Sequence, residues 1–179
     1  MTDAPTTVQA VGPAALIAVE AWSAFDAAAA RVGEVLGGVL PDLLGSSDLA
    51  GGWRAVRVEP TVWWLTGPLA GLEAAFDAVE TALGEDGAAV DLSGGFTRLE
   101  IAGPAWRELL MVGGVFDAED PDFAPGSTVG TILHHAGVRY DVVDDRRVHI
   151  LVAPSYAADL LDHLRAAAAR LEPSGSSGS

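Results

Sequence analysis

Hydrophobic positions along the chain change period several times, and each change predicts an element. In PLAGLEAAFDAVETALG, residues Leu69, Leu72, Phe76, Val79 and Leu83 repeat at +3, +4, +3, +4. That spacing predicts an amphipathic helix, which Gly84 ends. Phe25, Ala29, Val32 and Leu36 predict a second helix in SAFDAAAARVGEVLGG. Ser23 and Asp26 give it a capping-box-like start, and Gly37-Gly38 a stop. Leu160, Leu161, Leu164, Ala168 and Leu171 predict a closing helix in SYAADLLDHLRAAAARL. Elsewhere the period falls to two. Val138, Tyr140 and Val142 share one face of VRYDV; Val148, Ile150 and Val152 share one face of VHILV, and DDRR between them predicts a hairpin turn. AALIAVEAW, RAVRVEPTVWWLTG (two segments broken by Pro60) and AAVDL read as further strands. The order, roughly β-α-β-α-β-β-α-β-β-β-α, predicts an α+β fold: an antiparallel or mixed sheet with helices packed on it.

SGGFTRLEIAGPAW, Ser93 to Trp106, tests that reading against a ligand loop. A dinucleotide fingerprint needs G-x-G-x-x-G between strand and helix. Gly94, Gly95 and Gly103 have the wrong spacing, and the Gly-Gly pair enters a strand. Thr97, Leu99 and Ile101 alternate with Arg98 and Glu100, the pattern of a half-buried strand. Gly103-Pro104 suits a turn with Pro at the first helical position, followed by a short helix that Gly113 ends. Residues 1–12 read as a flexible polar lead-in, 13–172 as one domain, and 173–179, PSGSSGS, as a flexible linker or engineered scar.

Composition then removes mechanisms. The chain has 179 residues, no cysteine and a formal net charge of −15. All ten basic residues are Arg. Thiol chemistry, Schiff bases and a P-loop lysine are therefore excluded. The acidic field disfavours nucleic acid and anionic lipid as partners. No apolar run reaches the ~18–20 residues of a membrane span, and the N-terminus lacks the basic start of a secretory signal, which predicts a cytoplasmic protein.

The remaining candidates are weak. His134 and His135 are neighbours that a strand would point to opposite faces, and with His149 they match no zinc spacing. Asp117, Glu119, Asp120 and Asp122 fail the calcium-loop pattern because Pro121 takes a ligand position. No G-x-S-x-G elbow occurs. Trp63-Trp64 on one strand must face both ways, one into the core and one toward a cover or a partner.

The order of these segments resembles the gamma subunit of heterotetrameric sarcosine oxidase over about Leu16 to Leu171. VDLSGGFTRLEIAGPAWRELLMVGG carries the densest likeness. FDAEDPDFAPGSTVGTILHHAGVRYDVVDD and VHILVAPSYAADLLDHLRAAA are similar to the following segments, as are VLPDLLG and VEPTVWWLTG. Thr61-Val62 and Asp117–Asp120 depart from the family pattern and mark a divergent member. The resemblance implies a fold related to the folate-binding domain of the glycine-cleavage T-protein. It implies alpha, beta and delta partner subunits that hold NAD, tetrahydrofolate, FAD, FMN and zinc. It implies a non-catalytic accessory role for this chain, with no catalytic, cofactor-binding or metal residue of its own. The alternatives are a stand-alone folate-binding aminomethyltransferase relative and an acidic scaffold for a basic partner.

Overall fold

The computed structural model describes residues 4–12 and 14–171. The tail at 173–179 lies outside the described residues. The elements are β1 (Thr7–Val11), β2 (Ala14–Ala21), α1 (Phe25–Val35), β3 (Ser46–Asp48), β4 (Arg54–Glu59), β5 (Val62–Pro68), α2 (Leu72–Leu83), β6 (Gly87–Asp91), β7 (Thr97–Ala102), α3 (Trp106–Met111), β8 (Thr128–Leu133), β9 (Ala136–Asp144), β10 (Arg147–Val152) and α4 (Pro154–Leu171). They form two five-stranded sheets, ordered β3-β4-β5-β2-β6 and β1-β7-β10-β9-β8. Every strand pair is antiparallel. The α+β expectation holds, with two sheets in place of one.

Each sheet has its own helix-covered core. Ile17, Val19, Leu65 and Trp63 of the first sheet pack with Val32 of α1 and Val79 of α2. Leu99, Ile101, Tyr140 and Ile150 of the second pack with Leu109 of α3 and Leu160 and Leu164 of α4. The second core gathers Phe116, Phe123 and Tyr140 in edge and tilted contacts. The sheet faces turned away from the helices meet. Leu16, Val56 and Thr66 of one and Asp141 and Leu151 of the other are buried without belonging to either helix-side cluster.

Local details correct several expectations. The lead-in contains β1, paired with β7 from Thr7↔Ala102 to Val11↔Arg98 and tied to α4 by the Arg165 Nε donating to the Val8 carbonyl at 3.1 Å. Its few polar residues gave no alternation long enough to read. β3 is a three-residue edge strand, paired with β4 from Ser46↔Val56 to Asp48↔Arg54. Ser23 does not cap α1: its hydroxyl donates to Asp86 Oδ1 at 2.7 Å, and Ala24 enters the helix at φ 42°. Leu69 precedes α2 in a separate turn and is exposed. Pro104 likewise precedes α3, which begins at Trp106. Gly103 has φ +135°, and a Cβ there would lie 2.5 Å from Thr6 Cα, so both conformation and space require glycine.

Candidate functional site

Strand alternation puts the polar residues of β7, β9 and β10 on the face opposite the helix-side core. Register then aligns them in rows. Gln9, Glu100, His149 and Asp141 stand side by side across four strands, and Val11, Arg98, Leu151 and Arg139 form the adjacent row. On the facing sheet, Asp48, Arg54, Thr66 and Leu16 make a matching row.

Arg54 crosses from one sheet to the other. Its Nε donates to Asp141 Oδ2 at 2.6 Å and its Nη2 to Asp141 Oδ1 at 2.8 Å, a two-pronged grip on the carboxylate. The remaining donors reach Asp48 Oδ1 at 2.6 Å, Ser46 Oγ at 2.7 Å and the Val142 carbonyl at 3.2 Å. Burial works against the Arg54 charge; the hydrogen bonds and charge of Asp141, then those of Asp48, outweigh it and raise its pKa.

His149 continues the row. Its Nε2 lies 3.3 Å from Glu100 Oε2, and its Nδ1 lies 4.0 Å from Asp141 Oδ2. Gln9 Nε2 donates to the other Glu100 oxygen at 3.0 Å. Burial first, and the Arg98 charge second, push the His149 imidazole below its ordinary value despite the two carboxylates. A histidine whose native pKa is depressed binds fewer protons folded than unfolded, so stability rises with pH across that interval. Its contribution is complete above the unfolded value of 6.5 and falls as pH drops below it. The unfolding midpoint in urea should therefore decline between about pH 7.5 and about pH 5.5, and His149→Gln should flatten that decline. An unchanged slope in the variant would assign it to other groups.

The remaining candidates from the sequence are scattered. His134 and His135 form the turn between β8 and β9, with His134 at φ 57°. His134 stacks on His163 of α4 at 4.2 Å between ring centroids and lies 3.5 Å from Asp159, while His149 sits in the other network. Among the described residues no group of three or more His, Asp or Glu is arranged to hold a metal. Asp117 and Asp120 accept hydrogen bonds from the backbone of Glu119 and Asp122, and Arg107 donates to the carbonyls of Ala118 and Phe123 across the same loop. The acidic loop is thus an internally tied turn system. Trp63 enters the core, stacked on Phe25 at 5.0 Å, with its indole N–H donating to the Pro41 carbonyl. Trp64 faces the second sheet against Phe96 at 4.5 Å, with the Arg139 guanidinium 5.8 Å from its ring. Its cover comes from this chain.

SGGFTRLEI forms a turn and then β7. Asp91 Oδ1 accepts from the Ser93 backbone, and the Ser93 hydroxyl accepts from Leu16 N–H at 3.0 Å. The same stretch lines a cavity of about 550 Å³ at the end of the sheet-to-sheet contact. Its other walls include Leu16, Thr66, Leu151 and Pro154. Periodicity gave no sign of this cavity, because its walls come from strands far apart in sequence.

A family model described as the sarcosine oxidase, gamma subunit family matches residues 20–170. The chain belongs to that family. Solved structures agree on the fold. Heterotetrameric sarcosine oxidase from Corynebacterium sp. U-96, in complex with pyrrole 2-carboxylate, matches with TM-score 0.82 at 20% identity, over 94% of this chain and 86% of that one. Glycine cleavage system aminomethyltransferase T from Bartonella henselae matches with TM-score 0.66 at 16% identity, over 90% of this chain and 45% of that one. The regulatory subunit of aspartate kinase from Thermus thermophilus matches more weakly, with TM-score 0.52 at 13% identity over 93% of this chain and 99% of that one. No curated protein sequence matches. Among the described residues of this gamma-family chain, no helix is long and apolar enough to cross a membrane.

Proposed function

We propose that this chain is a non-catalytic accessory subunit of a multi-subunit, flavin-dependent oxidase of sarcosine or another N-methyl amine, coupled to tetrahydrofolate. Its partners are alpha, beta and delta subunits, which hold the FAD, FMN, NAD, folate and zinc of the complex in the cytoplasm. The family match over residues 20–170 carries this reading. Two features support an assembly role. The polar groups between the sheets pair chiefly with one another, as Arg54 does with Asp141 and Gln9 and His149 do with Glu100. Large apolar side chains stand exposed on the surface, among them Trp22, Val39, Leu43, Leu44, Val115 and Ile132. Trp22 among them is of the residue type most enriched at the anchor points of protein interfaces.

Co-expression with the larger subunits is expected to yield a stable assembly by native mass spectrometry, and the purified chain alone should be colourless. Oxidation of an N-methyl amine by the isolated chain would overturn the reading. Saturable tetrahydrofolate binding by the isolated chain would favour the stand-alone transferase.

A further inference from the structure

We propose that the cavity floored by Arg98 is a binding site for a small monocarboxylate with an apolar body. The argument is independent of the accessory-subunit reading.

Arginines in this chain generally serve as staples. Arg31 donates to the Ala82 carbonyl and Asp86, Arg57 to the Pro60 carbonyl, Arg139 to the Val58 carbonyl, and Arg165 to the Val8 carbonyl. Arg98 differs. Its guanidinium makes no hydrogen bond or ion pair with any described residue, and its Nε, like that of Arg57, is buried without a partner. An unsatisfied buried donor of this kind costs about 1–3 kcal/mol, more when it is charged. Arg98 lies on the wall of the 550 Å³ cavity.

Nearby carboxylates leave this charge available. Glu100 and Asp141 act on Arg98 through space only. Glu100 is engaged by Gln9 and His149, and Asp141 by Arg54. Desolvation, the largest influence on Arg98, lowers its pKa from the ordinary guanidinium value, so a bound anion would relieve a real penalty. A second feature gives the cavity positive potential. Pro154 on its rim is the first residue of the 18-residue helix α4, whose positive end therefore lies there.

The cavity also selects among anions. Leu16, Phe96 and Leu151 make most of its surface apolar, and Arg98 is the single charged side chain lining it among the described residues. One guanidinium matches one planar carboxylate through two parallel hydrogen bonds. A phosphomonoester carries more charge than this site balances, inside a chain of net charge −15. The volume lies within the usual range of about 300–1,000 Å³ for small-molecule sites.

The test uses fluorine NMR on the full chain, alone and co-expressed with its partner subunits, with 4-fluorobenzoate as probe. Neutral 4-fluorobenzamide and 4-fluorophenyl phosphate serve as competitors. Saturable benzoate binding is expected in both preparations, about tenfold or more tighter than benzamide. Arg98→Met should remove at least about tenfold of that affinity, Arg98→Lys should retain part of it, and Arg147→Met, in the exposed hairpin, should retain all of it. Should Arg98→Met not fold, the wild-type Arg98 Nε–Hε resonance, assigned by its absence in Arg98→Lys, is expected to shift on titration with benzoate. Equal binding of benzamide, tighter binding of the phosphate, a stationary Arg98 resonance, or loss of benzoate binding in the assembled complex would each overturn the proposal. The last outcome would assign the cavity to a group from a partner chain.

Discussion

Arg54→Met is expected to lower the stability of the chain by about 3–5 kcal/mol, measured by urea unfolding at neutral pH. Both side chains of the pair are nearly out of solvent, 9% exposed for Arg54 and 3% for Asp141. Removing the guanidinium leaves the Asp141 carboxylate enclosed between two sheets, with the His149 imidazole at 4.0 Å and the Arg98 charge acting only through space. That residual charge dominates the cost, because a buried ion pair gains little net energy over apolar groups of similar volume. The double substitution Arg54→Met with Asp141→Leu is therefore expected to recover most of the loss. Its recovery distinguishes a stranded charge from a merely damaged fold. Native domains have about 5–15 kcal/mol in total, so the single variant should approach the unfolding threshold at physiological temperature. If it proves as stable as the parent, Arg54 does not hold the sheets together.

This pair also shows where sequence reading stops. Arg54 and Asp141 are 87 residues apart, and neither position carries a mark that separates it from the solvated charges around it. Alternation in TRLEI and VRYDV correctly placed Leu99, Ile101, Tyr140 and Val142 in a core, since period two is a local property of a strand. It equally predicted that the opposite residues, Arg98, Glu100, Arg139 and Asp141, would meet water. They meet a second sheet instead, because an α+β pattern does not specify how many sheets its strands divide into. Helices α2 and α4 were legible for the same local reason, down to Val79, Leu83, Leu160 and Leu164. The start of α1 was not, because the nearest acceptor for the Ser23 hydroxyl is Asp86, brought in by β6 and its preceding turn. At the site, the spacing of Gly94, Gly95 and Gly103 excluded a dinucleotide loop and correctly gave a turn and a strand. That the turn walls a cavity depends on Leu16, Thr66 and Leu151 arriving from three other strands.

Gly67→Ala is expected to be the second large effect, a loss of about 3 kcal/mol by urea unfolding. Gly67 lies in β5 opposite Ala15, and the Trp53 indole lies flat against it. A Cβ at this position would stand 2.3 Å from Trp53 Cδ2 and 2.5 Å from Cε3. Neither neighbour can yield cheaply. Gly67 is held in the β2–β5 ladder opposite Ala15, and Trp53 is 7% exposed within a core that includes Ala15, Leu40, Leu49 and Leu65. The methyl must either bend the sheet, which overpacking makes cost about 1–3 kcal/mol, or expel the ring, which forfeits about the 3–5 kcal/mol of a large aromatic. Fluorescence separates the two routes: a red-shifted spectrum reports an expelled Trp53, and an unchanged one a strained sheet. A smaller side chain opposite the new methyl should restore room, so Gly67→Ala combined with Trp53→Leu is expected to be less destabilised than the sum of the two single changes. Simple additivity would mean that the two residues do not touch. Gly67 directly follows Thr66, a wall of the Arg98 cavity, whereas Trp53 packs on the opposite face of the sheet, so a bent sheet should weaken benzoate binding and an expelled ring should leave it nearly unchanged.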